Sequence, residues 1–178
     1  AGGVSASKAV ERARLLVASL LGAPKESIIF TSGGTESNAL AIHGVCGAYR
    51  KKNPGKSLHI ITTKMEHASV LRAIEKEEFA GAEVTYVAPN NEGQVYASAI
   101  ISLIRAETAL VSIGYANNEI GSILPIAEIG KGILRLRKMH ANWPVVFHTD
   151  ACQAVIYCPM LVEQLHVDLL TLNGGKIG

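Results

Sequence analysis

No apolar run in this sequence approaches the roughly 20 residues that a membrane-spanning helix needs. No basic block stands out either. Seventeen Lys and Arg against fifteen Asp and Glu leave a net charge of only +2, so nothing marks a nucleic-acid footprint. Repeats, low-complexity tracts and Pro/Ser-rich linkers are missing. The opening residues, Ala1-Gly2-Gly3-Val4-Ser5, lack the charged and apolar regions of a signal peptide. Cysteine is sparse and odd in number: Cys46, Cys152 and Cys158 include no CxxC pair. That pattern points to reduced thiols in a cytoplasmic protein and to no metal site. There is no initiator Met, and Gly174-Gly175-Lys176-Ile177-Gly178 reads as an active loop that stops midway, so both ends are expected to be cut. What is present suits one compact domain: 178 residues, 48% hydrophobic and 18% charged.

Short apolar, β-rich runs alternate with helical patterns. Ser5 to Leu21 places Ala13, Leu16, Val17 and Leu20 at helical spacing, with Ser5 to cap its start and Gly22 its end. Strands are expected at 27–31, 58–62, 83–87, 109–114, 145–149 and 169–172. Helices are expected from about Thr35 to Lys51, Ala68 to Phe79 and Ala97 to Arg105. Another should follow Pro125, which suits a first helical turn, and carry Ile126, Ile129, Ile133 and Leu136. Strands that are apolar on both faces and alternate with helices predict an α/β fold, a three-layer α/β/α arrangement around a mainly parallel sheet. Ligands in such sheets bind beyond the carboxyl ends of the strands. The polar clusters of this chain fall at those ends, so one composite site is expected.

Thr31-Ser32-Gly33-Gly34-Thr35-Glu36-Ser37 is a glycine turn entering a helix. Exposed N–H groups and the helix dipole favour an anion there, and Thr35 adds a hydroxyl, so the turn can cradle a phosphate. It is not a Walker loop, and taken alone it reads more readily as an ordinary helix cap with Thr35 as N-cap. Glu66-His67 places an imidazole just past a strand, where it could stack on a flat cofactor and move protons, or simply cap a helix. Asn117-Asn118-Glu119-Ile120-Gly121 offers an uncharged donor, Asn118, for a phenolic oxygen, or forms a plain turn. Asp150 ends a strand in His148-Thr149-Asp150-Ala151-Cys152-Gln153; it could pair with a protonated pyridine nitrogen or act as a helix N-cap. Lys176, in Asn173-Gly174-Gly175-Lys176, could make an imine from a partly desolvated cleft, or be a solvated terminal lysine.

Taken in order, these runs resemble the cysteine desulfurases, which belong to the class V aminotransferase group of fold-type I pyridoxal-phosphate (PLP) enzymes. The resemblance covers nearly the whole chain and implies that residues 1–178 are part of the PLP-binding large domain. It implies that Gly34 and Thr35 bind the cofactor phosphate and that His67 stacks on the pyridine ring and assists proton transfer. Asn118 and Gln153 would contact the phenolic oxygen, and Asp150 the pyridine nitrogen. Lys176 would be the Schiff-base lysine and the general base at the substrate α-carbon. The family usually reads Ser-Gly-His-Lys at the lysine loop. Here Asn173 stands for the Ser and would partly replace it, while Gly175 stands where the His would help hold the phosphate.

The implied reaction takes sulfur from L-cysteine, leaving alanine and an enzyme persulfide, and passes the sulfur to an acceptor protein for iron–sulfur cluster or thio-cofactor synthesis. The implied parent is a homodimer about twice this length. Its small domain, its persulfide-forming cysteine and its substrate-carboxylate arginine would lie outside residues 1–178. None of the three cysteines falls where the catalytic one belongs; Cys152 reads as a small buried residue. The chain alone is therefore expected to be inactive. Selenocysteine lyase is the nearest alternative, with other class V aminotransferase-like PLP enzymes behind it, and a non-catalytic chain that keeps the fold for binding or assembly is the alternative of another class.

Overall fold

A computed structural model of the chain describes residues 2–177. Ala1 and Gly178, on which the reading of the chain ends partly rests, lie outside them. Five strands form one sheet: β1 (His59–Thr63), β2 (Glu83–Val87), β3 (Thr108–Ser112), β4 (Val146–Asp150) and β5 (Leu169–Thr171). Their order is β2-β1-β3-β4-β5, and every pairing is parallel. Parallel neighbours need a crossover, which helices supply. Helices α1 (Gly2–Leu21) and α2 (Gly34–Lys52) precede the sheet. The crossovers carry α3 (Ala68–Phe79), α4 (Ala97–Ser102), α5 (Ile126–Met139) and α6 (Val162–Leu165) in turn.

The side-chain period of two sorts the central strands into two cores. Ile60 and Leu110 pack with Ile42 and Cys46 of α2 and Val70 and Ile74 of α3. Ile61 and Val111 pack with Ile100 of α4 and Ile129 and Ile133 of α5 on the opposite face. All five residues of β1 and of β3 are buried, as two covered faces require. The three-layer arrangement expected from the alternation of runs is therefore the one found.

Two buried histidines tie strands together. His59 on β1 meets Thr108 Oγ1 of β3 and Thr85 Oγ1 of β2, each at 2.9 Å. His148 on β4 meets Ser112 Oγ of β3 at 2.9 Å and Thr171 Oγ1 of β5 at 3.1 Å. Burial holds both imidazoles neutral by pushing their pKa values down, His148 to about 4.

Ser5 does not cap α1, which already begins at Gly2, and two further expectations fail. Residues 27–31 do not form a strand: Lys25–Ser27 is a short 3-10 turn, and Ile28 onward runs extended without a ladder. A strand needs a hydrogen-bonded neighbour, and a groove of about 510 Å³, lined by Ile29, Thr31, Leu169 and Leu170, separates this segment from β5. Ile29 and Phe30 are exposed in consequence. In α1, Leu16 and Leu20 face outward, while Ala18 and Leu21 are buried. The apolar stripe is real, but only the last turn of the helix reaches the core.

Candidate functional site

At the carboxyl ends of the strands lies an open cleft of about 760 Å³. Gly34, Thr35, His67, Asn118, Asp150, Gln153, Asn173 and Lys176 all line it, so the structure brings together every candidate residue read from the sequence. They arrive from five connections: the start of α2 and the segments following β1, β3, β4 and β5.

The start of α2 is open to an anion. Its N-cap is Gly33, and no side chain caps it. Its first N–H groups have no intrahelical partner, and they carry the positive end of the helix dipole. The expected cap at Thr35 is thus not a cap: Thr35 already lies inside the helix. Gly34 is required by close approach, since a Cβ there would stand 2.9 Å from Cys152 Sγ and 3.7 Å from Asn173 Cβ. Asn173 accepts from Gly175 N–H at 3.0 Å, which closes the turn Gly174–Lys176 and sets Asn173 beside the helix start. Lys176 is exposed and makes no ion pair among the described residues. The partly desolvated position expected for it is not what the structure shows.

Asp150 ends β4 and is held at both oxygens. Oδ1 accepts from Cys152 N–H at 3.0 Å and Oδ2 from Asn38 Nδ2 at 2.7 Å. His67 is the N-cap of α3, accepting Ser69 N–H at Nδ1, so the capping role weighed in the sequence is real and leaves Nε2 without a protein partner among the described residues. Asn118 is exposed, whereas its neighbour Asn117 shapes the loop. Asn117 Nδ2 donates to Met65 O at 3.0 Å, and its Oδ1 accepts from Glu119 and Ile120 N–H.

Beneath His67 lies a group the sequence reading left without a role. Glu66 is buried, its Oε1 accepting from Thr63 Oγ1 at 2.7 Å and Gly114 N–H at 3.0 Å. Its Oε2 has no partner among the described residues. Desolvation, helped by the nearby Asp150 charge, pushes its pKa up to about 7. Asn38 and Ser69 were likewise unassigned. Their contacts join residues up to 112 positions apart, and no local pattern in the sequence signals such a contact.

The donor set fits PLP: an uncapped helix start for the phosphate, with glycine where a Cβ would close the cradle, a fixed carboxylate for a ring nitrogen and an exposed amine within the same cleft. The thiols do not fit nucleophilic work. Burial pushes the Cys46 thiol up to about 12, and the Cys152 thiol is also raised, chiefly by burial. Cys152 is half-buried, with Sγ 4.0 Å from Thr171 O.

A parallel sheet that gathers an uncapped helix start, an imidazole, a carboxylate and a lysine at its carboxyl ends has the layout of an α/β protein whose ligand cleft lies beyond its strand ends. The chain belongs to the aminotransferase class-V family, whose sequence pattern matches residues 2–178. It is 43% identical over 175 residues to a protein described as putative cysteine desulfurase IscS 1 from Bacillus subtilis (strain 168), covering 98% of this chain and 43% of that one. It is 44% identical to the Homo sapiens cysteine desulfurase, covering 98% and 36%. Among solved structures, SspA in complex with cysteine superposes with a TM-score of 0.88 at 34% identity, covering 98% of this chain and 47% of that one. DndA from Streptomyces lividans gives 0.85 at 35%, covering 99% and 46%. The chain thus spans less than half the length of these relatives.

Proposed function

We propose that the complete protein is a PLP-dependent cysteine desulfurase and that residues 1–178 supply part of its PLP-binding large domain. The observation that carries this reading is the single cleft shared by all eight candidate residues. When bound there, PLP supplies an electron sink for the charge that develops at the substrate α-carbon. The N–H groups at Gly34 and Thr35, with the Thr35 hydroxyl and Asn173, would hold the phosphate. Asp150 would pair with the ring nitrogen, and Asn118 and Gln153 would donate to the phenolic oxygen. His67 would stack on the ring. Lys176 Nζ would carry the cofactor covalently and, once released from it, take the proton from the substrate α-carbon.

The sulfur of L-cysteine would leave to a thiolate on another part of the protein, giving alanine and a persulfide, for transfer to an acceptor protein. Cys46 and Cys152 are in the wrong state for that step. The likeness to SspA, solved in complex with cysteine, supports L-cysteine as the substrate. A cytoplasmic homodimer serving iron–sulfur cluster assembly is part of the same proposal. No helix among the described residues is long and apolar enough to cross a membrane. The test is turnover by the full-length protein. Alanine and sulfide should appear in equal amounts from L-cysteine with a reductant present, and Lys176→Ala should abolish both. Unchanged alanine release by Lys176→Ala would refute the reading.

A further inference from the structure

The hydrogen bonds behind the cleft run in one direction. Asn38 is fully buried on α2 and sends its two amide hydrogens to different partners. Nδ2 donates to Asp150 Oδ2 at 2.7 Å and to Ser69 Oγ at 2.9 Å. The carboxylate decides the amide orientation, because Oδ1 turned toward Asp150 would set acceptor against acceptor. Having accepted from Asn38, Ser69 Oγ has its own hydrogen left for His67 Nδ1, 2.8 Å away. Ser69 N–H donates to the same nitrogen at 3.1 Å. Two donors converge on Nδ1, so the neutral imidazole carries its hydrogen on Nε2.

We infer that Asn38 and Ser69 are positioning residues that join Asp150 and His67 into one hydrogen-bonded unit, with His67 presenting Nε2–H to the cleft. The unit spans three elements: α2 gives Asn38, the start of α3 gives Ser69 and His67, and the end of β4 gives Asp150. Glu66 is outside it, since its bonds run to Thr63 and Gly114. In its consequence for the cofactor, the inference rests on the PLP reading. The group facing the ring and the group facing its nitrogen would be aligned by one amide, so loosening the amide or the hydroxyl should disturb both.

The experiment uses the full-length protein. In material labelled with ¹⁵N-histidine, with His67 assigned through His67→Gln, the imidazole should show a protonated Nε2 and a bare Nδ1. A His67 signal with the hydrogen on Nδ1 overturns the inference. In PLP-loaded material, visible circular dichroism per bound PLP should fall by roughly half or more in Asn38→Ala and in Ser69→Val, as expected when a site loses its supporting contacts. The double variant should fall no further than the single ones, and Ser69→Thr, which keeps the hydroxyl, should match the wild type. Equal signals from Ser69→Thr and Ser69→Val, or additive losses, overturn it. Should Asn38→Ala fail to fold, the Ser69 pair decides alone. A wild-type protein that takes up no PLP refutes the cofactor reading instead, and the His67 tautomer still decides the inference.

Discussion

The body of the sheet and its carboxyl end treat buried polar groups in opposite ways. In the body, His59 and His148 each use both ring nitrogens to bridge hydroxyls on the two flanking strands. Toward the carboxyl end, three buried side-chain atoms have no partner among the described residues: Asn38 Oδ1, Thr62 Oγ1 and Glu66 Oε2. Buried polar atoms are normally satisfied, so a local deficit marks where stability has yielded to another demand. Two of the three residues, Asn38 and Glu66, line the cleft that collects the candidate residues. The body holds the fold, and the carboxyl end gathers the candidate residues.

Changes on the two sides should therefore separate function from stability. The largest effect is expected from Asp150→Asn in the full-length protein, which keeps an acceptor for Asn38 but removes the charge. Steady-state assays should show turnover lower by about 10²–10³-fold, the scale of losing one preorganised electrostatic contact, with little change in thermal unfolding. His148→Ala should do the reverse. It leaves the hydroxyls of Ser112 and Thr171 buried and opens a cavity, so denaturant unfolding should register a loss of about 3 kcal/mol while PLP uptake persists.

The pH dependence sharpens the same contrast. His148 titrates near 4 in the folded state instead of near its ordinary 6.5. The unfolded chain binds the extra proton in that window, so this residue makes stability fall as pH drops from 6.5 to about 4, by at most about 3 kcal/mol. Glu66 does the opposite. Its folded pKa is raised from 4.5 to about 7, so it keeps a proton that the unfolded chain releases. Its contribution is present below pH 4.5 and is lost as pH rises toward 7. The two trends oppose each other, and Glu66→Gln should unmask the His148 slope. The stability of the variant relative to wild type should rise by at most about 3 kcal/mol between pH 4.5 and 7 in unfolding measured across that range. A difference that stays flat would place Glu66 in a more hydrated setting than the structure does. The smallest effect is expected from Gly34→Ala. Its Cβ would press on Cys152 Sγ, and equilibrium titration should show PLP binding weaker by about tenfold, or about 1.4 kcal/mol.

Much of this architecture was legible because it is written in local pattern. Runs such as Ile60-Ile61 and Leu110-Val111 announce strands covered on both faces, and their alternation with helices sets a parallel sheet. The site was legible in outline because topology sends every strand end to one edge. What escaped depends on partners. Residues 27–31 carry a strand's composition but have no neighbouring strand among the described residues to pair with, and the stripe of α1 is apolar without being buried. Asn38 and Ser69 look like ordinary helix residues until folding sets Asn38 against Asp150. Asn118 drew notice as a ligand, yet its neighbour Asn117 anchors the loop, and only the hydrogen bonds tell the two apart.

The central claim is that the carboxyl-end cleft binds PLP through Lys176. Borohydride reduction of the PLP-loaded full-length protein, followed by peptide mass mapping, tests it most directly. One pyridoxyl-modified lysine, Lys176, is expected. Modification at Lys64, which lines the same cleft, or no modification at all, would contradict it.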